Sequence, residues 1–314
     1  MKDYDHREKI AQFKSALQKV IIGKPKQITN TIVCLIANGH LLLEDMPGVG
    51  KTTLASALAR LIGGDFSRIQ FTADLLPSDV VGTKIYRREK EDFEFVKGPI
   101  FANVVLADEL NRAPPKTQSA LLQAMNEYAV SVDKQLLAMS VPFMVIATQN
   151  PRGFHGTYPL PESQRDRFLM RLSLGYPDAD SEKEILKMNW GKEKKHILEP
   201  LFSLEDIVRL QDKASEVPVP EHVYVYVTRL TAAIRNHAEV DLPVSPRGSI
   251  GLVRAAQALA LLNCEECVSI DNVKEIAPAV LCHRIGLKGS TGFSAEGAPL
   301  SWLKHEILQR VEID

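Results

Sequence analysis

Apolar positions recur at helical spacing at the start of the chain. Ile10, Phe13, Leu17 and Val20 share one face, and Ile28, Ile32, Leu35 and Ile36 share another. Val20-Ile21-Ile22-Gly23-Lys24 predicts a turn between these two helices. After Asn38-Gly39 the period changes. Leu41-Leu42-Leu43 is an unbroken apolar run, as in a strand buried on both faces. A helix face of Leu54, Leu58, Leu61 and Ile62 follows, and Gly63-Gly64 stops it. Strands are predicted at Ser67–Phe71, Asn103–Ala107, Phe143–Thr148 and Phe168–Leu174.

Two stretches read as hairpins. In Lys84–Lys97, Phe93 and Phe95 alternate with charged residues across a polar tip from Ile85 and Tyr86. In the second, Val130, Val132, Leu136 and Ala138 flank an Asp133-Lys134 turn. The first has a highly charged tip and could be no more than a solvated surface excursion. Asn111 is a candidate helix cap, with Pro114 and Pro115 in the first turn and Leu121, Leu122 and Met125 on one face. After Tyr176-Pro177-Asp178 the patterns are helical, so a boundary is expected near residue 176: an α/β domain over 1–176 and a helical one over 177–314.

Composition changes this picture little. Of 314 residues, 45% are hydrophobic and 25% charged, an ordinary globular balance. The net charge of −1 offers no general attraction to nucleic acid or anionic membrane. The polar start Met1–His6 has no signal-peptide apolar core, and no apolar run approaches the roughly 20 residues a bilayer span needs. The expected location is cytoplasmic. Cys264-Glu265-Glu266-Cys267 has the spacing of a redox pair or half a zinc site. With no second pair nearby, incidental thiols are the competing reading.

The candidate chemistry gathers at strand ends. Leu41–Leu43 runs into Pro47-Gly48-Val49-Gly50-Lys51-Thr52-Thr53, close to the phosphate-loop pattern G-x-x-x-x-G-K-S/T, except that Asp45 stands where the first glycine belongs. Backbone N–H groups there can curl round a phosphate, Lys51 can reach the terminal phosphates, and the Thr52 hydroxyl can hold Mg²⁺. Asp108-Glu109 ends the third strand. Either the pair caps a helix, or Asp108 orients Mg²⁺ and Glu109 activates a water. Gln149-Asn150 ends the fourth strand, where Asn150 could hold that water. Arg165 and Arg167 precede the last strand.

Several blocks, in order along nearly the whole chain, resemble the MoxR family of AAA+ ATPases. They are Leu43–Thr52, Gly98–Asn103, Ala107–Leu122, Ala147–Pro151, Gly156–Glu162, Asp166–Met170, Ser245-Pro246-Arg247 and His283-Arg284-Ile285. The resemblance accounts for Asp45 as the family's Glu-Asp before the glycine loop. It implies a phosphate-loop core with a parallel five-stranded sheet flanked by helices, followed by an all-helical lid. By resemblance, Asn150 matches sensor 1, Arg167 the arginine finger reaching a neighbouring subunit, and Arg247 sensor 2, contacting the γ-phosphate from the lid. Ile22 and Gly23 match the segment beside the adenine, and Arg165 stands near enough to substitute for Arg167. Arg112 is expected to brace the subunit interface. The hairpins match two insertions that the clade points at a ring pore or a partner. Lys24 departs from a Gln common in the family, and Arg152-Gly153-Phe154-His155 puts unusual positive charge after sensor 1.

The resemblance further implies ATP or ADP and Mg²⁺ as ligands, with Thr52 and Asp108 at the metal. It implies a homo-oligomeric, hexameric ring that remodels or matures a partner protein, with metal insertion as one role and a von Willebrand A domain protein as a partner. Two other readings remain: a nucleic-acid motor of the helix-2-insert clade, which the charge balance disfavours, and an ATP-sensing scaffold with little turnover.

Overall fold

The computed structural model describes residues 3–132, 135–150, 157–190, 198–289 and 298–311. The Asp133-Lys134 tip and the Pro151–Gly156 loop lie outside them.

Helices α1 (Asp3–Gln18) and α2 (Pro25–Ile36) lead into β1 (Leu41–Glu44) and α3 (Lys51–Leu61). Then come β2 (Phe66–Gln70), the short α4 (Pro77–Val81) and an antiparallel hairpin of β3 (Gly82–Arg87) and β4 (Asp92–Lys97). β5 (Val104–Asp108), α5 (Pro115–Glu127) and a second hairpin, β6 (Ala129–Val132) with β7 (Gln135–Ala138), precede β8 (Met144–Gln149). α6 (Glu162–Arg165) and β9 (Met170–Leu172) complete this part. The remainder comprises α7 (Ala179–Trp190), α8 (Leu204–Glu216), α9 (Glu221–Asn236), β10 (Val240–Leu242), α10 (Pro246–Asn263), α11 (Ile270–Leu281), β11 (Gly286–Leu287) and α12 (Ala298–Trp302).

The main sheet has the order β2-β5-β8-β1-β9, with every pairing parallel. Successive strand residues face opposite sides. Leu41 and Leu43 pack with α1–α3 and the later helices, while Leu42 faces the α5 side with Val105 and Val145. Both faces are therefore covered at the central strands β1, β5 and β8, which is why these read as apolar runs, whereas the edge strand β2 is mostly exposed. The C-terminal carbonyls of α2, orphaned by helix geometry, are taken by the later helices. Gln211 donates to Leu35 O at 2.8 Å, and Arg254 donates to Ala37 O and Asn38 O.

Three expectations need correcting. The last strand is shorter than Phe168–Leu174. At its start the Phe168 N–H turns back to Arg165 O, and at its end the Leu174 and Gly175 N–H groups are diverted to the Asp45 carboxylate. Asn111 is not a helix cap. It is buried in a 3₁₀ turn (Leu110–Arg112), and α5 starts only at Pro115, with Pro114 extended before it; a residue preceding proline is disfavoured in the helical region. The second part is not wholly helical, because β10 and β11 form a short antiparallel pair.

Candidate active site

Parallel pairing brings the C-terminal ends of β1, β5 and β8 to one edge, where ligands of open α/β sheets bind. A cleft of about 420 Å³ opens there, lined by the glycine loop, Lys51, Thr52 and Thr53, by Asp108 and Glu109, and by Thr148 and Asn150. The loop needs its glycines: Gly48 and Gly50 hold φ of +87° and +94°, conformations a side chain would strain. Gly50 is also the N-cap of α3, with no side-chain cap, and the first helical bond runs from Leu54 N–H to Gly50 O. The N–H groups of the first turn are thus left for an anion, and the helix dipole favours negative charge there. Pro47 lines the cleft, while Val49 is turned to the core, packed against the cluster that includes Leu41 and Leu54.

Lys51 is half-buried, and its Nζ donates to Asp45 O at 3.0 Å. Burial pushes its pKa down, and the nearby Asp45, Asp108 and Glu109 charges act the other way. A phosphate in the cleft would restore the solvation that burial removes. Asp45, the apparent defect of the phosphate-loop pattern, is a buried brace. Its carboxylate accepts from Ser173 Oγ at 2.7 Å, Leu174 N at 2.7 Å and Gly175 N at 2.9 Å, tying the loop to the end of β9.

The acid pair is held by residues that the sequence patterns did not single out. Thr148 Oγ1 donates to Asp108 Oδ1 at 2.7 Å and accepts from Glu109 N–H at 2.8 Å. From the neighbouring strand β2, Arg68 pairs with Asp108 Oδ2 at 2.6 Å, and Gln70 Nε2 donates to Glu109 Oε2 at 3.1 Å. The visible signal was the alternation Arg68-Ile69-Gln70 on a strand whose Gln70 lies in register with Asp108. Arg112 Nη1 also donates to Glu109 Oε2, at 2.8 Å. Glu109 adopts a left-handed backbone, φ +56°, uncommon for a side chain of this kind. Oxygen donors from Thr52 and Asp108 in one cleft suit a hard divalent cation, so these residues fit Mg²⁺ and the loop fits a nucleotide phosphate.

The other expected residues are not in this cleft. Ile22 and Gly23 lie in the turn beside it, where the neighbouring Ile21 Cδ1 sits 3.6 Å from the position a Cβ on Gly50 would take. Gly23, at φ +74°, backs onto Ser181, whose Oγ a Cβ would meet at 2.1 Å. Lys24 Nζ donates to Tyr176 O at 2.8 Å, fastening that turn to the chain leading into α7. Arg167 and Arg247 sit at the opposite edge of the sheet. Residues 166–169 precede β9, and Leu169 N–H bonds His40 O, just before β1 begins, whereas the glycine loop follows the end of β1. Burial and the neighbouring Arg247 charge both lower the Arg167 pKa, against the opposing Glu127. Arg247 Nη1 lies 3.9 Å from Asp166 Oδ2. Neither arginine lines its own chain's phosphate cleft.

Comparison with known proteins agrees with this geometry. A family model described as the ATPase family associated with various cellular activities (AAA) matches residues 40–170, and an AAA lid domain model matches 232–299. The chain is 46% identical over 297 residues to the uncharacterized protein YeaC of Bacillus subtilis (strain 168), covering 95% of this chain and 92% of that relative. It is 43% identical to Chaperone MoxR1 of Mycobacterium tuberculosis, covering 86% and 74% respectively. It is 30% identical to Protein MoxR of Paracoccus denitrificans, covering 90% of each. A crystal structure from Cytophaga hutchinsonii ATCC 33406 superposes with a TM-score of 0.90 at 36% identity, covering 99% of this chain and 97% of that one. This chain belongs to the MoxR family of AAA+ ATPases.

Proposed function

We propose that the chain hydrolyses ATP in a Mg²⁺-dependent reaction at an interface between two copies of itself, within a ring, and uses the cycle to remodel a partner protein. The observation that carries this reading is a separation. Lys51, Thr52, Asp108, Glu109 and Asn150 belong to one cleft or its rim, while Arg167 and Arg247 lie at the far edge of the sheet. The separation supports a reading in which one chain carries two halves of different sites.

In this reading the loop from Pro47 to Thr53 wraps the phosphates through backbone N–H groups, and Lys51 contributes a charge-assisted contact. Thr52 and Asp108 would hold Mg²⁺, which neutralises charge on the phosphate oxygens. Glu109 orients the attacking water and takes its proton, and Asn150 fixes that water and reads the terminal phosphate. Thr148 keeps Asp108 and the Glu109 backbone in place. Ile22 and Gly23 form a wall beside the base. Arg167, with Arg247 beside it, serves the next copy's nucleotide. That is a change from a lid arginine acting on its own chain. Residues 1–176 carry the nucleotide site and 177–314 the lid.

A relative named as a chaperone, MoxR1, favours protein remodelling over a nucleic-acid motor, as does the net charge of −1. No described helix is long and apolar enough to cross a membrane, and cytoplasmic placement, a von Willebrand A partner, metal insertion and six-fold assembly stand as parts of the proposal. Lys51→Ala should lose ATP binding, whereas Glu109→Gln should bind ATP and turn over more slowly by a factor on the order of 10² or more, the usual contribution of a general base. Near-normal turnover by the Glu109 variant would move the base elsewhere. ATP-bound rings of the wild-type chain with no hydrolysis, even with partner, would favour a scaffold.

A further inference from the structure

Asp166 lies between the two arginines of the far edge, and the later helices converge on it. Ser245, the N-cap of α10, donates its hydroxyl to Asp166 Oδ2 at 2.9 Å, and Arg247 follows two residues on. Arg284, in the 3₁₀ turn Cys282–Arg284 that ends α11, donates from Nε to Asp166 Oδ1 at 2.8 Å. The rest of its guanidinium is spent on carbonyl oxygens. Nη2 donates to Phe168 O at 2.6 Å and Asp166 O at 3.1 Å, and Nη1 to Leu169 O at 3.1 Å and to Val280 O. The Arg284 side chain is only 3% exposed. His283 adds a contact between Nε2 and Phe168 O at 3.0 Å.

Residues 166–169 form a turn, with no strand partner to fix their carbonyls, so a planar fork with five donors does what a ladder does elsewhere. Room for it is built in. A Cβ on Gly248, in the first turn of α10, would come within 3.0 Å of Arg284 Cδ. That glycine lets α10 lie against the arginine stem.

We propose that Arg284 is a positioning residue for hydrolysis in the neighbouring copy: it locks the Asp166–Leu169 turn to α10 and α11, and so sets where Arg167 is presented. The proposal rests on Arg167 serving the next copy. The lid and the arginine then move as one body, and a lid displacement in one copy repositions the group that the next copy's site needs. A lysine at 284 keeps the charge but can reach few of these five acceptors.

The test uses full-length rings of R284K, R167A and E109Q, alone and mixed, with D166N as a second way to break the same link if R284K does not fold. R284K should bind a fluorescent ATP analogue within about threefold of wild type. It should lose kcat on the order of 10²-fold, as expected for a catalytic group displaced by about 1 Å, with little change in KM. Mixed with E109Q, it should regain turnover, because its intact Glu109 then meets a neighbour's well-placed Arg167. D166N should behave alike. Wild-type turnover by R284K overturns the proposal. So does loss of turnover that E109Q subunits cannot restore while they do restore R167A, since Arg284 would then act on its own site. If R167A is not restored either, the finger reading fails, and the proposal goes with it.

Discussion

Replacing Asp45 by glycine would complete the consensus phosphate loop, yet the structure predicts a damaged protein. The backbone at 45 is not among the positive-φ positions, so nothing there requires glycine. The carboxylate, by contrast, accepts three hydrogen bonds: one from the Ser173 hydroxyl and two from the Leu174 and Gly175 N–H groups. Residue 45 is 4% exposed, so its removal leaves the Leu174 N–H, itself buried, without a partner. Stranding a buried donor costs about 1–3 kcal/mol, and losing bonds to a charged acceptor costs a similar amount each. A glycine adds roughly 0.5–1 kcal/mol of backbone entropy. Together these terms would reach about 3.5–10 kcal/mol, but burying the carboxylate carries a desolvation cost of its own, so D45G should destabilise the chain by the lower part of that range, about 3–6 kcal/mol. At about 2–4 °C per kcal/mol for chains of 150–250 residues, and somewhat less for 314, Tm should fall on the order of 10 °C. D45N keeps one acceptor and should lie between. Thermal melts followed by circular dichroism, with and without saturating nucleotide, measure this. A D45G variant melting within about 2 °C of wild type would show that Asp45 is a family mark without a bracing role.

Thr148→Val removes the hydroxyl that links Asp108 to the Glu109 backbone. The Mg²⁺ concentration for half-maximal turnover should rise about tenfold, the lower end of what outer-shell partners of a metal contribute. An unchanged Mg²⁺ titration would argue against that role. His40 is buried between Met125 O and the Val145 N–H, and burial lowers its pKa to about 4 from the ordinary 6.5. The folded state therefore favours the neutral ring. Its contribution is full above pH 6.5 and is lost as pH falls toward 4, amounting to about 3 kcal/mol. His40→Gln should flatten that part of the stability–pH curve, and parallel curves for the two proteins would refute it. Gly248→Ala, which would ordinarily strengthen a helix, should destabilise here by about 1–3 kcal/mol, because the new Cβ meets Val244 Cγ1 at 2.6 Å and Arg284 Cδ at 3.0 Å. A stabilised variant, measured by chemical denaturation, would show that the contact relaxes freely.

The strand runs, the glycine loop and the acid pair were legible because each is written in consecutive residues. A strand buried on both faces must be apolar throughout, a phosphate cradle needs glycine before lysine, and local period separates helix from strand. That is why the central strands β1, β5 and β8, the loop and Asp108-Glu109 could be read directly, while the edge strand β2 showed itself by alternation instead. The ends of elements were less legible. The extent of β9 depends on a carboxylate more than a hundred residues away in sequence, and the start of α5 on two adjacent prolines.

What only the tertiary structure decided are the links between residues far apart in the chain. Arg68 and Gln70 reach the acid pair because β2 happens to neighbour β5, and Thr148 does so because β8 lies on the other side of β5. Asp45 finds its donors across β1 and β9. Arg247 stands beside Arg167 because Asp166 gathers the later helices to the sheet's far edge. Local chemistry names the groups a chain possesses; their distances follow from strand order and helix packing, which no short stretch encodes. The sequence alone determined that this chain holds a nucleotide loop and its acids. The fold decided that the loop and the arginines lie toward opposite ends of one sheet, because β1 and β9 run parallel.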